Sequence, residues 1–156
     1  MPDIRPSAVD IVCPHDSTVL HWDDAGLTCP HCGRDWERDG RIPLFTEAPG
    51  ETVATANAFA DSAGADSIPA AADEPNTDWR FLLPLTAETR VLVVGFGTGR
   101  IATELAPDVR SVTVLHADLP TLRALELRIR HESHENVAAV LSTGALPFPP
   151  GSFDLI

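Results

Sequence analysis

The chain has 156 residues, a formal net charge of −12, and eleven arginines but no lysine. It contains no run of 18 apolar residues and no basic N-terminus with an apolar core, so we expect a cytoplasmic protein without a membrane span or secretory signal. The acidic balance disfavours a protein that coats nucleic acid. A lysine-free, acidic composition is also one that suits a salt-rich cytoplasm.

The N-terminal 45 residues hold all three cysteines, in a pattern that indicates metal binding. CPHC at residues 29–32 places two thiolates at the spacing of a zinc knuckle, and Gly33 permits the tight turn around the ion. CPHD at residues 13–16 repeats this form, with an acid where a fourth cysteine would stand. Zinc accepts carboxylate or imidazole, so His15 is an alternative to Asp16. The predicted zinc ligands are Cys13, Asp16, Cys29 and Cys32.

Two other interpretations of the cysteines stay open. CPHC also resembles the active-site sequence of thioredoxin-like oxidoreductases, but there a helix follows the first cysteine. Here a glycine follows and the matching turn lies upstream, which disfavours redox chemistry. A ribbon that has lost its metal is the other alternative.

Short strands joined by turns surround these cysteines, with a hairpin turn predicted at residues 24–26. The paired knuckles, followed by WERDGRIPLF at residues 36–45, resemble the zinc-ribbon family of the small activating subunit of tRNA and release-factor methyltransferases. The resemblance covers residues 10–45 and implies a small β zinc ribbon. Similar ribbons are fused in front of some methyltransferases.

Residues 46–78 carry seven acidic residues and no basic one, and they are poor in large apolar side chains. This composition predicts an acidic flexible linker, with one weak helical stretch at residues 53–60.

The remaining segment, residues 79–156, alternates strand and helix patterns. Apolar runs predict strands at 90–94, 111–115 and 137–141, a fourth beginning at 153–156, and helices at 100–105 and 120–134. Three arginines of the second helix, at 123, 128 and 130, are interpreted as a charged outer face rather than an RNA-binding patch. The predicted fold class is α/β: a small β zinc ribbon, then the first half of a Rossmann-like, doubly wound parallel sheet.

The glycine turn after the first of these strands narrows the choice of ligand. GFGTG at residues 95–99 is not the dinucleotide fingerprint, which requires glycine at position 100, where Arg100 stands. With LPFPPGSFDLI at residues 146–156, it resembles the small-molecule (type 11-like) class I S-adenosylmethionine-dependent methyltransferases. The resemblance implies S-adenosylmethionine as cofactor. The cofactor residues that it implies are Gly95, Phe96, Gly97, Thr98, Gly99, His116, Asp118, Ser142 and Leu146.

Three acids usual in that family are replaced in this chain. Val93 stands two residues before the first glycine, and His116 and Ser142 stand where acids follow the second and third strands. Losing two charge-assisted hydrogen bonds, at about 1.5–3 kcal/mol each, weakens cofactor affinity at least tenfold. His116 retains one hydrogen bond to the ribose, and Asp118 is the nearest carboxylate.

The sequence therefore predicts a methyltransferase-like protein that stops after the fourth strand. Later strands usually supply the acceptor-binding residues, so we expect a protein partner that completes the sheet and name no catalytic residue. The acceptor, a small molecule or RNA, is left open. The alternatives are a non-catalytic zinc-ribbon module that docks on a partner methyltransferase, and a ribbon that binds RNA.

Overall fold

A computed structural model of the protein describes residues 9–23, 26–46, 82–95 and 99–156. Most of the predicted acidic linker, with the helical stretch expected at 53–60, lies outside the described residues. So do the tip of the predicted hairpin, at 24–25, and residues 96–98 of the glycine turn.

Three short antiparallel strands form a small sheet in the N-terminal segment. They are β1 (His21–Trp22), β2 (Leu27–Thr28) and β3 (Asp35–Trp36), in that order. The pairing of the first two strands confirms the predicted hairpin. Strands of two residues bury little apolar surface, so a sheet of this size depends on additional support.

A second hairpin follows directly. It consists of β4 (Arg38–Asp39) and β5 (Ile42–Phe45), which pair antiparallel. Gly40 lies between them with a φ of 58°, a conformation that glycine adopts at little cost.

The C-terminal segment alternates strands and helices, as the sequence predicts. Its elements are β6 (Arg90–Val94), α1 (Arg100–Leu105), β7 (Ser111–His116), α2 (Leu119–Glu132) and β8 (Val137–Ser142). The three strands are mutually parallel, and the full sheet has the order β4-β5-β8-β7-β6. The expected mixed α/β class is confirmed.

Strand β5 joins the N-terminal segment to this parallel sheet. It pairs in parallel with β8, with Leu44 opposite Leu141 and Phe45 opposite Ser142. The cysteine-bearing segment and the C-terminal segment therefore share one sheet, although most of the residues between them lie outside the described part of the chain.

The fourth strand predicted at residues 153–156 is present only as a short contact. Leu155 forms a parallel bridge with Val91, and the Leu92 N–H donates to the Leu155 carbonyl at 2.9 Å. The chain therefore begins a further parallel strand on the side of β6 opposite β7.

Strand side chains alternate between two apolar clusters, one on each face of the parallel sheet. The first cluster joins strand residues to both helices and includes Val91, Val112, Val114, Ala139, Ala102, Leu105, Leu122, Leu125 and Ile129. The second joins strand residues to the N-terminal segment and includes Leu92, Leu115, Val140, Ile11, Leu20, Leu27, Phe45, Cys13 and Cys29. Among the described residues, both helices cover one face and the cysteine-bearing segment covers the other.

Helix α2 has well-defined ends and contacts the second hairpin. Asp118 caps its N-terminus by accepting from the Thr121 N–H at 2.9 Å, and Ser133 ends it with a φ of 59°. Arg123 Nε donates to Asp39 Oδ2 at 2.6 Å, which links the helix to β4.

Candidate functional site

The first cysteine turn is closed by backbone hydrogen bonds. Cys13 N–H donates to the Thr18 carbonyl at 2.8 Å, and Ser17 N–H donates to the Cys13 carbonyl at 2.9 Å. Ser17 has a φ of 60°, and the His15 N–H points at Cys13 Sγ from 3.4 Å. The turn presents the Cys13 sulfur and the Asp16 carboxylate on the same side.

The second cysteine turn repeats the two backbone bonds at equivalent positions, while its N–H contact to sulfur comes from one residue further along. Cys29 N–H donates to the Arg34 carbonyl at 2.8 Å, and Gly33 N–H donates to the Cys29 carbonyl at 2.9 Å. Gly33 has a φ of 70°, and the Cys32 N–H lies 3.4 Å from Cys29 Sγ. In this repeat, Asp16 occupies the place that Cys32 has in the second turn, as the sequence indicates.

The two turns bring the four predicted metal ligands together. One ligand atom each from Cys13, Asp16, Cys29 and Cys32 lies within 4.8 Å of all the others. The Sγ atoms of Cys13 and Cys32 are 3.8 Å apart, and Cys29 Sγ lies 3.4 Å from Asp16 Oδ2. A tetrahedral zinc ion with bonds of about 2.3 Å to sulfur and 2.0 Å to oxygen separates two sulfurs by about 3.8 Å, and sulfur from oxygen by about 3.5 Å. The four side chains therefore fit such an ion.

Local contacts bias the protonation of these groups. The Thr18 N–H, and after it the His31 side chain, hold the pKa of Asp16 well below its ordinary value, against the effect of burial. Burial raises the pKa of the Cys13 thiol to about 11. Burial also opposes ionisation of Cys29, but the backbone N–H groups of Cys32 and His31 outweigh it and lower the pKa of Cys29. A metal ion that binds Cys13 would therefore displace the proton of the thiol.

The CPHC segment does not have the setting of a disulfide oxidoreductase. Cys29 and Cys32 lie in a turn between β2 and β3, and that turn leads into a strand. Within the described stretch 26–46, these two cysteines therefore lack the helix N-terminus that lowers a catalytic thiol's pKa.

The glycine turn leaves the sheet at the carboxyl end of β6. Gly95 has a φ of 67° and donates its N–H to the Leu115 carbonyl at 2.8 Å. Gly99 has a φ of 85° and begins α1, and a Cβ at this position would overlap the Leu125 side chain. Both positions therefore favour glycine. Phe96, Gly97 and Thr98, between them, lie outside the described residues.

His116 and Asp118 follow β7 at the same edge of the sheet. His116 Nδ1 accepts the Asp118 N–H at 2.9 Å, so neutral His116 carries its proton on Nε2. The Asp118 carboxylate accepts from the Thr121 N–H at 2.9 Å and from the Thr121 hydroxyl at 2.6 Å. His116 can therefore donate one hydrogen bond to a ligand, whereas Asp118 is engaged at the helix N-terminus.

Ser142 ends β8, and Leu146 lies in the loop that follows it. The Ser142 hydroxyl donates to the Ala145 carbonyl at 2.5 Å, which leaves its oxygen free to accept. Leu146 is 61% exposed, and Val94, at the end of β6, is 54% exposed. Two exposed apolar side chains thus lie near the carboxyl ends of the parallel strands, while Val93 packs against the first apolar cluster.

Arg90 and Asp154 form a pair that the sequence patterns did not predict, and it ties residue 154 to the start of β6. Arg90 Nε donates to Asp154 Oδ2, and a terminal nitrogen of Arg90 donates to Asp154 Oδ1, both at 3.1 Å. The Arg90 N–H also donates to Asp154 Oδ2 at 2.8 Å. An arginine at the start of a buried strand and an acid in the SFDLI run were the available signals.

Among the described residues, no helix combines the length and apolar character needed to cross a membrane.

Several solved structures are similar to part of the chain. The YcgJ protein from Bacillus subtilis is 30% identical over 48% of this chain and 33% of its own, with a TM-score of 0.46. The CcbJ methyltransferase from Streptomyces caelestis is 27% identical over 56% of this chain and 34% of its own, with a TM-score of 0.37. The [4+2]-cyclase SpnF is 26% identical over 45% of this chain and 27% of its own, with a TM-score of 0.42.

The chain thus spans about a third of the length of these proteins. No protein-family model matches the sequence, and no curated protein matches it either.

Proposed function

We propose that the protein is an S-adenosylmethionine-binding, methyltransferase-like protein whose N-terminal module holds zinc. The main support for S-adenosylmethionine binding is the turn between Gly95 and Gly99. It connects a buried parallel strand to a helix, and both described glycines have positive φ. Gly95 lies at the edge where β7 and β8 also end, which is where open α/β sheets bind ligands.

The chain's own residues have defined roles in this proposal. At Gly95 a Cβ would have no other atom within 4 Å, so the side-chain-free backbone there leaves room for the methionine and ribose portions of the ligand, whereas Gly99 is needed for packing against Leu125. His116 Nε2 would donate to a ribose hydroxyl, Leu146 would pack against the adenine, and the Ser142 oxygen would accept from the adenine amine. When bound, the cofactor supplies an electrophilic methyl group, and transfer needs chiefly alignment of donor and acceptor.

The metal part of the proposal rests on four ligand atoms that lie within 4.8 Å of one another, with the Cys13–Cys32 and Cys29–Asp16 pairs at tetrahedral distances. Cys13, Cys29 and Cys32 supply thiolates and Asp16 a carboxylate oxygen. We propose residues 10–45 as the metal module, 46–78 as a linker and 79–156 as the Rossmann-like half. The pairing of β5 with β8 supports a structural role for the metal, because the module forms one edge of the sheet.

Calorimetry with S-adenosylmethionine and S-adenosylhomocysteine tests the cofactor part. We expect binding that weakens about tenfold in His116→Ala, since one hydrogen bond to the ligand is lost. The matched control is His131→Ala, because His131 is an exposed histidine at the far end of α2. Absence of heat and of any thermal shift at millimolar ligand would refute the cofactor proposal.

A second candidate function is a non-catalytic module that docks on a partner methyltransferase. It is favoured by the Asp118 carboxylate, which caps α2 and is therefore engaged away from the ribose position. A partner strand would extend the sheet beyond Leu155. Metal binding without any cofactor binding, together with co-purification of a methyltransferase, would support this function over the first.

A further inference from the structure

The two cysteine turns carry histidines at equivalent positions, but their rings have different partners. His15 precedes Asp16, and His15 Nε2 lies 2.7 Å from a terminal nitrogen of Arg34. His31 precedes Cys32, and His31 Nδ1 lies 3.0 Å from Asp16 Oδ2. Of these two rings, that of His31 contacts a predicted metal ligand, and it does so across the gap between the turns.

The direction of the second contact follows from the groups involved. An ionised carboxylate only accepts hydrogen bonds, so Nδ1 of His31 must carry the proton and donate it. The Thr18 N–H donates to the other carboxylate oxygen, Asp16 Oδ1, at 2.9 Å. With a donor on each oxygen, the plane of the carboxylate is fixed.

A fixed carboxylate is what the fourth position of this centre needs. A thiolate presents one sulfur at the end of a single rotatable bond, whereas a carboxylate can turn and offer either oxygen. Cys29 Sγ lies 3.4 Å from Oδ2 and 3.6 Å from Oδ1 of Asp16, so the carboxylate already faces the sulfurs. These two donors occupy two of the about four lone-pair positions on the two oxygens, so each oxygen keeps one for an ion.

We propose that His31 is a positioning residue that orients the Asp16 carboxylate to complete a three-sulfur, one-oxygen metal centre. This inference rests on the metal site proposed above. In this proposal His31 does not itself bind the ion: the ligand atoms that meet belong to Cys13, Asp16, Cys29 and Cys32, and the His31 side chain, which is 74% exposed, directs Nδ1 to Asp16. Partners of this kind typically contribute 10- to 100-fold in metal affinity.

Titration of the metal-free protein with Co²⁺, followed by competition with Zn²⁺, tests the proposal. Cobalt reports its ligands by visible absorption, and its thiolate charge-transfer bands report the number of sulfurs. We expect His31→Ala to weaken Co²⁺ and Zn²⁺ binding about 10- to 100-fold with unchanged charge-transfer intensity. His15→Ala, the matched control, should bind as the wild type does, because its ring contacts Arg34 and no ligand.

Two further variants make the test specific to Asp16. His31→Asn keeps an N–H donor close to the position of Nδ1 and should restore most of the affinity. In an Asp16→Cys background the carboxylate is gone, so His31→Ala should have no effect there. Circular dichroism of the metal-free variants checks that the fold is retained.

Each other outcome overturns the proposal. Equal metal affinity in wild type and His31→Ala would refute the positioning role of His31 but not the metal site. An equal loss in the Asp16→Cys background shows that His31 does not act through Asp16. A shift of the cobalt ligand-field bands in His31→Ala that His31→Asn does not reverse makes His31 a ligand. A wild type that gives no cobalt absorption eliminates the metal site itself.

Discussion

The Phe45 carbonyl accepts a hydrogen bond from the Thr143 N–H at 3.2 Å. The Val12 N–H donates to the Pro147 carbonyl at 2.9 Å, at the other end of the same loop. The N-terminal segment therefore holds both ends of residues 143–147, the loop that follows β8 and that carries Leu146. The proposed metal centre in that segment would support this loop through two backbone contacts.

Metal removal should destabilise the parallel sheet as well as the cysteine turns. Cys13 and Cys29 are in the same apolar cluster as Leu115 and Val140, so loss of the ion loosens the packing on that face. A metal at a thousandfold excess over its dissociation constant stabilises by about 4 kcal/mol. We therefore expect a chelator to lower Tm by about 10 °C.

The measurement is thermal unfolding followed by circular dichroism, with and without chelator. The control is Cys29→Ser, which should melt at the lower temperature and no longer respond to the chelator. If the sheet melted at the same temperature with and without chelator, metal binding would not stabilise the sheet through this cluster.

Phe45→Ala should cost about 3–5 kcal/mol of unfolding free energy. Phe45 is 3% exposed, belongs to the second cluster and packs its ring against Trp36 at 5.7 Å between centroids. Urea denaturation measures the change, and Leu127→Ala is the control, because Leu127 is 40% exposed on α2. Equal effects of the two substitutions would show that β5 is not integral to the sheet.

Periodicity and turn chemistry predict much of this fold, but the pairing of β5 requires tertiary information. The apolar runs predict β6, β7 and β8 to within two residues, because buried parallel strands are nearly continuous in apolar residues. The four-residue strand β5 carries no signal for its partner.

Local patterns also mislead on two polar residues. The charge pattern places Arg128 on an outer face, but this arginine is only 7% exposed, so the predicted outer face is wrong for it. The DLP sequence at residues 118–120 is a helix N-cap signature, with Asp118 capping and proline in the first turn. That signal predicts that the Asp118 carboxylate caps α2. The resemblance to methyltransferases instead suggested a role for Asp118 in cofactor binding.

Asp118 variants separate a capping role from a ligand role. Asp118→Ala should destabilise the protein by about 1 kcal/mol, while Asp118→Ser, which can still cap α2, should restore most of it. If Asp118 only caps, Asp118→Ser should bind S-adenosylmethionine as the wild type does. The measurements are urea denaturation and calorimetry, and a cofactor affinity lost in both variants would instead place the carboxylate on the ligand.

Glu126→Gln should stabilise the protein at neutral pH. Glu126 is 8% exposed, and its Oε2 has no hydrogen-bond partner among the described residues and lies 3.7 Å from Arg130. Burial raises the pKa of Glu126, while Arg41 and then Arg130 oppose the shift. Above that raised pKa the folded protein must hold a buried charge, and the amide removes this cost.

The stabilising effect of Glu126→Gln should depend on pH, in a direction set by the raised pKa of Glu126. Because the folded pKa of Glu126 exceeds the unfolded value of 4.5, the wild type gains stability as pH falls through the folded pKa. The advantage of Glu126→Gln should therefore shrink over that interval and disappear below pH 4.5, where the carboxyl is neutral in both states. Urea denaturation across this range measures the difference. A gap between wild type and variant that stays constant with pH would mean that Arg41 and Arg130 neutralise the carboxylate fully.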